Sequence, residues 1–342
     1  MIDSICKELV SRKDYLKDQS IETIYFGGGT PSVLSAGLIT QILQQISVHY
    51  MVEDNVEITL EANPEDINIE ALTFWKNSGI NRLSIGIQSF QDKRLGWMNR
   101  NHTAKDAIQS VKNAQISGFE NITIDLIYGF ADMTDSEWKQ EIQTAVSLDI
   151  PHISSYCLTI EEKTVFGYQN KKGLLPATSE ELSESHLLLL MKELQDAGFE
   201  QYEISNFCKP GFESRHNSNY WKRKVYLGVG PGAHSYNLTA RHANIANNSL
   251  YINEISNNSL LPSEEILTFE DHYNEYILTR IRTKWGICLQ DMVPWIENRI
   301  PDIEKKLNDL VKNGFMRIQN HAYLLTTRGK LLADEITLKL ML

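Results

Sequence analysis

The sequence predicts an α/β fold built on a parallel sheet, barrel-like or doubly wound, over its first 210 residues. Three observations predict it. Strand-like and helix-like patterns alternate along this stretch. The strand runs begin at 22, 56, 82, 121 and 152, which is 26 to 39 residues apart and the spacing of βα units. Several helical runs also stop at a glycine that is followed at once by a new strand, as at Ser78-Gly79-Ile80, Ser117-Gly118-Phe119 and Ala197-Gly198-Phe199. Glycine is favoured there because the residue just past a helix adopts a left-handed conformation.

In order, the strand runs are 22–29 (ETIYFGGG), 56–64 (VEITLEANP), 82–89 (RLSIGIQS), 121–129 (NITIDLIYG) and 152–160 (HISSYCLTI), with YEISNF (202–207) as a sixth strand. They are rich in Ile, Leu, Thr and Tyr and apolar enough to be covered by helices. Helical patterns fall at 36–50, 68–78, 104–117, 135–148 and 180–197. The opening residues form an amphipathic helix, with Ile2, Ile5, Leu9 and Leu16 on one side. Residues 209–262 are rich in Gly, Asn and aromatic residues and read as loop or strand material. From 263 to 342 the chain turns helical, then forms a hairpin (MRIQNHAYLLT) before a last helix, the order of a small winged-helix module. The expected boundaries are therefore 1–208 for the barrel-type domain, 209–262 for a connecting region, and 263–342 for a helical domain.

Composition narrows the function. With 33 Lys and Arg against 44 Asp and Glu, the net charge of −11 argues against a general nucleic-acid surface, which needs clustered cations. No run of 18 apolar residues exists, so no stable membrane insertion is expected. The amphipathic start lacks the apolar core of a signal peptide, which points to the cytoplasm. The cysteines, Cys6, Cys157, Cys208 and Cys288, form neither CxxC nor CxxxCxxC, so sequence-local binding of zinc or an iron–sulfur cluster is not supported.

In either architecture, function belongs at the C-terminal ends of the strands. After the first strand comes Gly27-Gly28-Gly29-Thr30-Pro31, either a plain βα turn or a backbone that approaches a ligand closely. Glu61 stands at the second strand end and Gln88 at the third, with Arg100 twelve residues on. Asp125 lies inside the fourth strand between Ile124 and Leu126, where a carboxylate needs a partner or a ligand. Each alone has a structural alternative. Together they suit a zwitterionic ligand with an amino-acid end and ribose hydroxyls, and no GxxxxGK[ST] is present for a nucleoside triphosphate. A second group is Arg215-His216-Asn217-Ser218-Asn219-Tyr220-Trp221. It is either a haem-binding element, with an imidazole ligand beside flat aromatic faces, or a partly exposed loop with His216 bonded to backbone.

The ordered set FGGGTPS, LEANPED, SIGIQSF with the following NR, IDLIYG, YEISNF, HNSNYW and GVGPGAHS resembles the oxygen-independent coproporphyrinogen III oxidase-like group of radical S-adenosylmethionine proteins. Its HNxxYW element is similar to that of the haem chaperone branch. The resemblance covers essentially the whole chain. It implies a partial (βα) barrel lacking its first strand, followed by a C-terminal helical, winged domain. It further implies S-adenosylmethionine at Gly28, Gly29, Thr30, Glu61, Gln88, Arg100 and Asp125. Haem is implied at His216, Asn217, Tyr220 and Trp221, with haem-acceptor proteins, respiratory ones among them, as partners. In that group a CxxxCxxC holds a [4Fe–4S] cluster, and this sequence contains none, so reductive cleavage of S-adenosylmethionine is not expected of it. Three functions follow: haem binding and delivery, oxidative decarboxylation of coproporphyrinogen III, and ligand binding by a remnant without a cluster.

Overall fold

Strands rich in Ile, Leu and Thr pair side by side where helices can cover both faces. The structure, a computed structural model, describes residues 1–17, 19–173, 175 and 179–342, apart from the side chains of Ala36, Asn170 and Glu297. Its largest sheet has seven strands: β1 (Ile21–Phe26), β2 (Val52–Ala62), β3 (Arg82–Gln88), β4 (Asn121–Tyr128), β5 (His152–Cys157), β6 (Glu200–Glu203) and β7 (Asn206–Cys208). The strand order is β1-β2-β3-β4-β5-β7-β6. β2 to β5 pair in parallel, as the βα spacing predicts. The expected helices are present at Ala36–His49, Ile69–Asn77, Ala104–Ile116, Asp135–Ser147 and Glu180–Asp196. The glycines that follow three of them take the left-handed backbone, with φ of 101° at Gly79, 82° at Gly118 and 79° at Gly198.

The opening helix, Ile2–Ser11, ends before Leu16, and two further expectations change. YEISNF is not one strand. Its ends lie in β6 and β7, which pair antiparallel, and β7 runs antiparallel to β5. The reason lies in the middle of the motif: the Ser205 carbonyl accepts from the Ser155 amide at 2.7 Å, and the Asn206 side chain donates to Glu203 across the turn. Residues 209–262 are also not only loop and strand. HNSNYW lies in a helix, Arg215–Trp221, and Asn248–Ser256 is a second. The first is closed at its start by Ser214, whose hydroxyl accepts from the Asn217 amide, and by the Glu57 carboxylate, which accepts from the amides of Arg215 and His216 at 3.1 and 2.9 Å. A carboxylate is favoured there because the first amides of a helix lack partners and carry partial positive charge.

The chain divides into two compact units. One comprises 26–33 and 59–213, the other 1–25, 34–58 and 214–342. The core of the first holds Leu60, Trp75, Leu83, Ile85, Trp138 and Phe207, each at most 1 % exposed. Trp138 also donates from Nε1 to the His186 carbonyl at 2.9 Å, fixing its helix to Glu180–Asp196. The second unit carries a three-stranded sheet of β8 (His234–Tyr236), β9 (Ala240–Ala243) and β10 (Ser263–Ile266), in the order β10-β9-β8. Its C-terminal part follows the expected order after β10, which takes 263–266 where a helical start was expected: helices Phe269–Arg280, Leu289–Ile296 and Ile300–Lys312, then a hairpin of β11 (Met316–Gln319) and β12 (Ala322–Leu325), then two short helices in place of one.

Within this unit Glu8, fully buried, ties the first helix to the glycine-rich run. It accepts from the Gly230 amide at 2.9 Å, the Tyr251 hydroxyl at 2.6 Å, the Asn244 amide at 2.7 Å and the Arg12 guanidinium at 3.2 Å. That is a satisfied buried carboxylate, and it accounts for the placement of GVGPGAHSY without any ligand.

Candidate functional site

At the C-terminal ends of β2, β3 and β4 the first unit opens a cavity of about 200 Å³, lined by Gly29, Thr30, Glu61, Gln88, Arg100 and Asp125 among others. Six of the seven residues expected to share one ligand thus line one cleft. The seventh, Gly28, donates its amide to Glu61 at 3.3 Å. The turn after β1 needs glycine for conformation and not for space. Gly28 and Gly29 have φ of 78° and 152°, and a β-carbon on either would touch nothing within 4 Å.

Gln88 itself sits at φ 69°, where β3 slips register against β4. For a residue with a side chain that backbone is sparsely populated, and here it closes the rim of the cleft. Arg100 is oriented by the Asn63 side chain at 2.9 Å and the Gly86 carbonyl at 3.0 Å, and its buried Nε–H has no hydrogen-bond partner among the described residues. Burial, with Glu61 adding its charge, pushes the Asp125 carboxyl up to about 7; the Ser154 hydroxyl and the Arg82 and Arg100 guanidiniums oppose this. The cleft therefore presents a fixed cation with an orphaned donor, an amide side chain and two carboxylates, one of which changes charge near neutrality. That donor set fits a zwitterion with hydroxyl groups.

Sequence reasoning missed the residues that orient the rim. Asn63 lies in LEANPED and Gly86 in SIGIQSF, beside the residues singled out, and both act through Arg100. His102 is 3 % exposed and bridges Glu65 at 3.2 Å and the Ile87 carbonyl at 3.0 Å, holding two of the loops that bear the rim. Ser32 donates to Asp66 at 2.6 Å.

In the second unit His216 is half-buried. Its Nδ1 lies 2.9 Å from the Thr23 hydroxyl, its ring stacks on Tyr25 at 4.7 Å and 15°, and Tyr220 meets it edge-on at 5.0 Å and 89°. Thr23, Tyr25 and Tyr220 thus fix the ring from three sides. Tyr220 is 43 % exposed, and the Trp221 indole N–H is buried with no hydrogen-bond partner among the described residues. Asn217 donates its backbone amide to the Ser214 cap. A half-buried imidazole with aromatic rings beside it and an orphaned indole donor in the same helix fit a planar ligand that bears a metal.

The four cysteines are free, Cys6 and Cys208 buried, Cys157 exposed and Cys288 half-buried. Among the described residues no group of three or more His, Cys, Asp or Glu is placed to hold a metal ion, so these residues do not fit a [4Fe–4S] cluster. Among the described residues no helix is long and apolar enough to cross a membrane.

The profile of the Radical SAM superfamily matches residues 5–145. The heme chaperone HemW of Bacillus subtilis (strain 168) is 34 % identical over 98 % of this chain and 89 % of its own length. That of Haemophilus influenzae is 32 % identical over 98 % and 87 %, and that of Lactococcus lactis subsp. lactis is 35 % identical over 84 % and 76 %. Among solved structures, coproporphyrinogen III oxidase (HemN) from Escherichia coli, a Radical SAM enzyme, superimposes with a TM-score of 0.83 at 20 % identity, over 99 % of this chain and 82 % of that one. That likeness is one of fold, and it agrees with the α/β half-barrel and helical C-terminal region read from sequence. With a superfamily match over the strands that build the cleft, and three relatives above 30 % identity over most of their length, this chain belongs to the HemW haem-chaperone family of the radical S-adenosylmethionine proteins.

Proposed function

We propose that the protein binds haem at His216, hands it to acceptor proteins, and holds S-adenosylmethionine in the cleft at the strand ends, acting in the cytoplasm. The observation that carries this reading is His216 itself: an imidazole gripped by Thr23 and Tyr25 in the helix that bears HNSNYW, beside an exposed Tyr220. Bound haem supplies an iron that takes an imidazole as axial ligand. Thr23 fixes the ring's orientation through Nδ1, in the way a second partner commonly fixes a ligating histidine. Asn217, Tyr220 and Trp221 complete the haem-facing group, the tyrosine and indole rings as plates for the macrocycle.

In the cleft, Arg100 is proposed to meet the carboxylate end of S-adenosylmethionine and Asp125 a ribose hydroxyl. Glu61 and Gln88 are proposed to receive its ammonium and remaining polar groups, with the Gly28-Gly29-Thr30 backbone alongside. The relatives named heme chaperone support the haem reading, and the Radical SAM profile supports the cleft reading.

Delivery is tested by loading the chain with haemin, removing free haemin, and mixing with an apo-haem protein whose reconstituted absorption is distinct. The expected result is transfer that depends on acceptor concentration, because hand-over requires an encounter. A rate independent of acceptor concentration and equal to spontaneous haemin loss would mean simple release, and would remove the chaperone function.

A further inference from the structure

The second unit holds a second cavity, of about 460 Å³, that neither the fold nor the His216 contacts require. Three cations line it, Lys222, Arg223 and Arg280; the Asp291 carboxylate lines it too, and Glu275 pairs with Arg223. In a chain of net charge −11 a local excess of positive charge is not a by-product of composition. His272 does not add to that charge. Burial and the neighbouring Arg223 hold it below its ordinary value, so it is neutral at pH 7 and accepts from Arg223 at 2.9 Å through Nδ1.

Arg223 is pinned. It also donates to the Tyr236 hydroxyl at 3.0 Å and to Glu275 at 3.2 Å, and its guanidinium lies 5.0 Å over the Trp295 ring. Trp295 stacks on His272 at 5.8 Å and 16°, giving the cavity a flat aromatic wall. Two donors have no hydrogen-bond partner among the described residues: the buried Nε–H groups of Arg223 and of Arg280. Arg280 has Asp291 only at 3.7 Å. A leftover pair of guanidinium donors beside an aromatic wall is the chemistry that receives a carboxylate carried on a flat, apolar body.

The connectivity says which body. Lys222 and Arg223 follow Trp221 directly, past the end of the helix Arg215–Trp221, in which His216 is the second residue. Seven residues of helix span about 10 Å, the scale that separates a porphyrin's centre from the carboxylates on its edge. We propose that this cavity receives the propionate edge of the tetrapyrrole, an inference that rests on the haem reading above. Arg223 and Arg280 take the carboxylates, Lys222 at the mouth adds charge, and Trp295 backs the ring edge.

Iron-free probes separate this from axial ligation. Protoporphyrin IX has the two carboxylates and no metal, and its dimethyl ester lacks both. The wild-type chain is expected to bind the free acid at least tenfold more tightly than the ester by porphyrin fluorescence. Lys222→Gln combined with Arg280→Gln removes that preference, whereas Arg280→Lys keeps most of it. His234→Gln, outside the proposed haem-facing group, leaves the preference for the acid over the ester in place. Equal binding of acid and ester by wild type overturns the inference without need of any variant. So does an unchanged preference in a folded double variant, even where haemin binding depends on His216 and the haem reading stands. If wild type binds no porphyrin of any kind, both readings fall together.

Discussion

Glu8→Ala is expected to destabilise the protein by about 3–5 kcal/mol, because removing one member of a buried charged network leaves the others desolvated and unpaired. Arg12 is only 12 % exposed at its side chain and loses its carboxylate. The Gly230 amide, the Asn244 side chain and the Tyr251 hydroxyl lose their acceptor at the same time. Since domains of this kind are stable by about 5–15 kcal/mol, the substitution removes a large fraction of the total. Urea unfolding followed by circular dichroism gives the value. Glu8→Gln keeps the shape and part of the acceptor capacity, so an intermediate loss is expected. A loss below about 1 kcal/mol for Glu8→Ala would show that water replaces the carboxylate and that the network is not what holds GVGPGAHSY in place.

Asp125→Ala is expected to weaken S-adenosylmethionine binding by about 10- to 150-fold, the equivalent of about 1.5–3 kcal/mol for a hydrogen bond to a charged group. Calorimetric titration measures it. A companion measurement reads the same carboxyl without any ligand. Its pKa in the fold is raised to about 7 from an ordinary 3.8. Between those values the folded chain keeps a proton that the unfolded chain has released. The contribution of this group to stability is therefore full below about pH 4 and is lost as pH rises through 7. Asp125→Asn is neutral at every pH and lacks that loss. Wild type should fall in melting temperature relative to Asp125→Asn between pH 5 and 8. Parallel profiles would mean that the carboxyl is ionised throughout, and unchanged affinity with a collapsed melting temperature would make Asp125 structural.

The cleft was legible in the sequence because its geometry follows from a topological rule. Glu61, Gln88 and Asp125 were found by asking what lies at or near the ends of strands whose order the periodicity supplied. Arg100 was found by proximity in sequence, but the reason it points into the cleft was not. That depends on Asn63 and the Gly86 carbonyl, 37 and 14 positions away. The helix bearing HNSNYW was not legible. Seven residues with no apolar period carry no helical signature, and the Glu57 carboxylate that receives their first amides is 158 and 159 positions away. Glu8 went unremarked for the same reason, since three of its four partners lie more than 220 positions on. The turn that splits YEISNF depends on pairing with β5, which no local pattern encodes. The limits of the five helices between the sheet strands, by contrast, came out within a residue or two, because caps such as Thr103 with Asp106 and Thr134 with Glu137 are written locally.

Haem ligation by His216 is read directly in a haemin titration followed at the Soret band. Wild type is compared with His216→Gln and, as a control among the chain's nine histidines, with His234→Gln from GPGAHSY. Glutamine keeps most of the volume packed against Tyr25, so loss of binding is not loss of fold, and melting curves check this. An imidazole ligand gives a sharp Soret band in wild type and in His234→Gln, and a lost or shifted band in His216→Gln. A His216→Gln variant that binds haemin with the wild-type spectrum and affinity would contradict the account and leave HNSNYW a structural helix.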